Sequence, residues 1–68
     1  MTDTKALRDK IKAAGLKYKY VAERLGITPY SLKLKIENDN EFKVSEVDAL
    51  SEILGLSLRE KDAIFFAK

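Results

Sequence analysis

Apolar residues recur at three- and four-residue intervals along most of the chain, a spacing that predicts helices, and no stretch reads as a strand. Leu7, Ile11 and Ala14 form the first such stripe, with Asp3 or Thr4 placed to cap it and Gly15 to end it. A second helix is expected from about residue 17 to 25, although Lys17 stands where a Ser or Thr cap would be expected. A third runs from Thr28 to about Glu37. Residues 38–41, Asn-Asp-Asn-Glu, cannot continue an apolar face and read as a loop from which Phe42 plugs the core. Ser45 with Asp48 resembles a capping box for a fourth helix carrying Val47, Leu50, Ile53 and Leu54, and Gly55 stops it. Ser57 with Glu60 repeats the device for a fifth, from Leu58 to Ala67, that carries Ile64, Phe65 and Phe66. Short connections predict a compact orthogonal bundle.

Residues 18–37, YKYVAERLGITPYSLKLKIE, are the most informative segment. Ala22 sits where a larger side chain would push the next helix away. Gly26 follows four residues later, where the chain must turn sharply and a positive φ is wanted. Thr28 offers a capping oxygen, and Pro29 suits a first helical position because its missing N–H costs nothing there. Val21, Leu25, Ile27, Leu32 and Ile36 supply contacts between the two helices. This is the pattern of a helix-turn-helix.

Sixty-eight residues allow one small domain. With no Cys and no His, disulfides are excluded and the usual zinc sites have no ligands. No cofactor is expected. No apolar run approaches a membrane span, and the first residues lack the apolar stretch of a signal peptide, so a cytoplasmic protein is expected. Charge is divided unevenly. Residues 1–35 hold nine Lys/Arg against three Asp/Glu, giving +6, while residues 36–68 hold four against eight, giving −4. Such a chain can turn a basic face toward phosphates and an acidic one toward a protein.

The segment KALRDKIKAAGLKYKYVAERLGITPYSLKLKIEN, followed by VSEVDALSEILGL, resembles the phage repressor and Cro-like helix-turn-helix family, also called the Xre family. The resemblance covers nearly the whole chain. It implies an all-α, five-helix bundle of the lambda-repressor-like type. It also implies a regulator of phage or prophage kind that binds double-stranded operator DNA, often as a dimer, with the helix at 28–37 in the major groove. Carried over position by position, the groove-facing residues are Thr28, Pro29, Tyr30, Ser31, Lys33 and Leu34. Lys33 can donate to guanine or phosphate, Tyr30 and Ser31 can bond bases or backbone, and Pro29 and Leu34 can touch a thymine methyl. The chain departs from the family in having Tyr18 where Gln is common, and it lacks Gln, Asn or Arg on the reading surface.

Lys17, Tyr18 and Lys19 at the start of the second helix form a candidate phosphate cluster, since ammonium groups and helix dipole favour the same anion. Asn38 and Asn40 can clamp the backbone on the other side, and Lys5, Lys35 and Lys43 are further candidates. Each lysine taken singly also fits an ordinary solvated position, and Tyr20 can pad the bundle or contact DNA. Adjacent Phe65 and Phe66 cannot share one narrow stripe, so one is expected in the core and the other at a partner interface. An enzyme is not expected: there is no His, Cys or glycine-rich phosphate loop, and Glu46, Asp48, Glu52, Glu60 and Asp62 read as exterior carboxylates with no cleft or small-molecule substrate site. The alternative is a small phage interaction protein that binds a repressor rather than DNA, as the acidic second half and weakly polar third helix would suit.

Overall fold

The computed structural model describes residues 2–37 and 40–67. It is an all-α bundle of five helices: α1 (Thr4–Ala13), α2 (Tyr18–Leu25), α3 (Pro29–Ile36), α4 (Val44–Leu54) and α5 (Leu58–Phe65). Each contributes two side chains to one core. These are Leu7 and Ile11, Val21 and Ala22, Leu32 and Ile36, Val47 and Leu50, and Ile64 and Phe65. Ala14, counted in the first stripe by its spacing, is exposed and serves as the C-cap of α1, so the stripe ends one turn earlier. Among the described residues no helix is long and apolar enough to cross a membrane.

Helix ends are closed by recurring devices. Asp3 caps α1 through Ala6 N–H, and Thr28 caps α3 through Ser31 N–H at 3.1 Å, with Pro29 in the first position. At the end of α2, Gly26 has φ +72° and donates to Glu23 O, while Ile27 donates to Ala22 O at 3.0 Å. This paired return is a Schellman motif, and the apolar residue after the glycine folds back onto the core. The same two bonds, made by Gly15 with Leu16 and by Gly55 with Leu56, end α1 and α4. The Gly–aliphatic pairs at 15–16, 26–27 and 55–56 are therefore one structural instruction used three times.

Two expected boundaries move. The fourth helix begins at Val44, with Lys43 as N-cap residue, rather than at a Ser45–Asp48 box. Glu46 supplies the capping carboxylate, accepting from Lys43 N–H at 2.8 Å, while Asp48 pairs with Lys61 at 2.5 Å. The fifth helix stops at Phe65, short of Ala67, where Phe66 leaves helical geometry. The box of Ser57 and Glu60 forms as expected. The chain start is tied to α5 by Asp3 N–H donating to Ile64 O.

Ala22 has no solvent exposure, so Ala22→Leu overpacks the α2–α3 contact and is expected to cost about 1–3 kcal/mol. A Cβ at Gly26 would meet no atom within 4 Å, which leaves backbone strain as the cost of substitution there. Gly26→Asn should be tolerated, Gly26→Ala should lose about 1–2 kcal/mol, and Gly26→Val more. Thermal melts check the order, at about 4–8 °C per kcal/mol for a domain this size.

A pH effect follows from Glu60, which Lys10 and the Ser57 N–H together hold well below its ordinary value of 4.5, at about 2. A carboxylate depressed by folding stabilises the protein above its unfolded pKa and loses that contribution as pH falls through its folded one. The melting temperature should therefore drop between about pH 4.5 and 2, and Glu60→Gln should flatten that part of the profile.

Candidate nucleic-acid interface

Lys17 is extended, with φ −87° and ψ 146°, and its side chain makes no cap bond. Lys17 therefore offers the first N–H groups of α2 no capping oxygen, while Lys17, Tyr18 and Lys19 around them are all exposed. Tyr20 is also exposed, but it is not free: its hydroxyl accepts from Arg24 at 2.7 Å, and the guanidinium carbon lies 5.8 Å from its ring centroid. The pair forms an i, i+4 unit on the outer side of α2.

The outward residues of α3 and its N-cap are Thr28, Pro29, Tyr30 and Lys33, with Tyr30 exposed to 68%. Tyr30 and Lys33 are three apart and share one side of the helix, so a phenol and an ammonium group stand together. Ser31 and Leu34 are half-buried and contribute only edges. Asn38 lies outside the described residues. Asn40 is exposed, and its N–H donates to Leu34 O.

Lys35 must be withdrawn from the phosphate candidates. Only 7% exposed, it points inward and meets Glu46, itself 5% exposed, at 2.6 Å. Glu46 is thus not an exterior carboxylate either. Burial pushes its carboxyl up, yet the Lys35 ammonium and the Lys43 N–H outweigh that and hold it below the ordinary value. Lys5 is exposed and paired with Asp9, one turn along α1, at 2.9 Å. After these pairings the outward cations of α2 and α3 are Lys17, Lys19, Arg24 and Lys33, against Glu23 and the C-cap Glu37.

The two phenylalanines divide as the spacing predicted. Phe65 is 5% exposed and meets Phe42 edge-to-face, with ring centroids 5.7 Å apart, so Phe42 does plug the core. Phe66 is 59% exposed and borders a groove of about 520 Å³ with Phe42, Val44, Val47 and Lys61. Val44, the first residue of α4, is also widely exposed. The lining includes no residue of α2 or α3, so the molecule presents two separate surfaces.

Comparison of the chain with protein-family models, with curated proteins and with solved structures gave no match. The residues themselves therefore carry the functional argument.

Phe65→Ser removes a core ring and should lower stability by about 3–5 kcal/mol. Phe66→Ser should stay within about 0.5 kcal/mol of the parent and alter only association at the groove. Thermal melts together with sedimentation equilibrium separate the two effects.

Proposed function

We infer that the chain is a DNA-binding transcriptional regulator of phage or prophage type, with α3 entering the major groove of an operator. The observation that carries this reading is the outward set Tyr30 and Lys33 on a Thr28-capped, Pro29-started helix, packed by a Schellman turn against α2, whose first turn is exposed and basic. Tyr30 and Lys33 are the base-edge candidates, supported by apolar contact from Pro29. Lys17, Tyr18 and Lys19 meet the phosphate backbone and fix the angle of approach. Arg24, held against Tyr20, adds a preorganised cation.

Dimerisation through the Phe66 groove would suit this function. It would use a surface that shares no residue with α2 or α3, and two α3 helices about 34 Å apart would read half-sites one turn apart. Occupying an operator that overlaps a promoter, such a protein blocks polymerase or a competing repressor. The same groove supports the second reading, a modulator that binds a repressor. Exposed Phe66 and Val44 and the acidic side chain of Glu41 on the groove lining favour it.

Selection from random duplexes, followed by affinity measurements across a salt series, tests the proposal. Each phosphate neutralised should contribute about −0.9 to the log–log slope. Lys19→Ala should weaken all duplexes alike and flatten the slope. Tyr30→Ala should cost about 1–3 kcal/mol on the selected sequence and relax selectivity there. A parent slope near zero removes the DNA reading and leaves the repressor-binding one.

A further inference from the structure

The segment Leu32-Lys33-Leu34-Lys35-Ile36 alternates apolar and cationic residues with a period of two. That is a strand pattern, and on a helix it scatters both classes around the axis. The apolar positions of α3 accordingly segregate to one side less than those of any other helix in the bundle. Leu32 and Ile36 are buried, Leu34 is half-buried, Lys33 is exposed and Lys35 is buried. Hydrophobic contact is non-directional and gives only a loose preference among rotations of α3 about its axis. Yet the rotation decides which side chains look outward.

The directional element is the contact between Lys35 and Glu46. The Lys35 ammonium donates to Glu46 Oε1 at 2.6 Å and to Glu41 O at 3.4 Å, and it lies 5.9 Å from the Phe42 ring centroid. The same Glu46 oxygen accepts from Lys43 N–H, and Phe42 leans on Phe65 of α5. The last turn of α3, the connection to α4, the first turn of α4 and the core face of α5 thus converge on one ion pair. Among the described residues every buried side-chain nitrogen and oxygen has a hydrogen-bond partner, so the network is closed. A closed buried pair contributes little net stability, because the desolvation of two charges offsets their attraction, and well-packed apolar groups often serve as well or better. What it does supply is geometry: a rotation of α3 that carries Lys35 away leaves Glu46 buried without its cation.

We propose that the Lys35–Glu46 pair sets the rotational phase of α3, choosing Lys35 for the interior and Lys33 with Tyr30 for the outer surface, and that it is a positioning device rather than a source of stability. The consequence for DNA rests on the functional reading above; the consequence for the phase of α3 does not.

The test is the double variant K35M/E46L, which keeps apolar bulk at both positions. It should remain folded and helical and melt within about 10 °C of the parent, the loss being that of the α4 cap that Glu46 also supplies. Nuclear Overhauser contacts from Leu34 and Tyr30 to the core should change, and amide exchange in α3 should quicken relative to α2. Affinity for the selected duplex should fall by about tenfold, the scale of one lost base contact, while K35R, which preserves the pair, holds both the contacts and the affinity. Parent-like contacts and affinity in K35M/E46L would overturn the proposal, and so would unfolding of that variant, since the pair would then be a source of stability. If the parent binds no duplex, the functional reading fails, and the Overhauser contacts alone decide whether the pair sets the phase.

Discussion

Among the described residues the longest helix, α4, has eleven residues, and helices that short have little stability alone, so tertiary packing must hold every one of them. This constraint explains the economy of the core, to which each helix gives two buried apolar side chains. It also explains why helix ends are so carefully closed. Three Schellman turns, two side-chain caps from Asp3 and Thr28, and the Ser57–Glu60 box satisfy groups at six helix ends that would otherwise be left to water, while the start of α2 has no side-chain cap.

Because the core is small, charge is used structurally. Lys10 with Glu60 ties α1 to α5, Lys61 with Asp48 ties α5 to α4, and Lys35 with Glu46 ties α3 to α4. Cations left outside such pairs on the α2–α3 side are the ones available to a phosphate backbone. Division between paired and unpaired lysines therefore defines the candidate surface more sharply than net charge does. The groove around Phe66 lies apart from it, lined by Val44 and Val47 of α4 and by the start and end of the chain.

Much of the fold was legible in the sequence because its signals are local. Gly26, Thr28 and Pro29 lie within four positions of one another, and each reports on its own backbone. The split between Phe65 and Phe66 was legible too, since adjacent helical positions point in different directions. What periodicity missed was non-local. Glu46 was read as an exterior carboxylate and Lys35 as a phosphate ligand because their pairing spans eleven positions and a loop. A signal was present: Lys35 adjoins Ile36 on the buried side set by Leu32, and a lysine in a core position requires a carboxylate within reach. The displaced start of α4 has the same origin, for Glu46 both caps that helix and neutralises Lys35, which draws the cap back to Lys43.

The central claim is that the surface built by the first turn of α2 and the outer side of α3 meets duplex DNA. Amide chemical-shift mapping during titration with the duplex selected from random sequence tests it most directly. The account predicts the largest changes at Lys17, Tyr18, Lys19, Tyr30 and Lys33, with Val44 and Phe66 unmoved by DNA at constant oligomeric state. Changes confined to the Phe66 groove, or none at low salt, would contradict it.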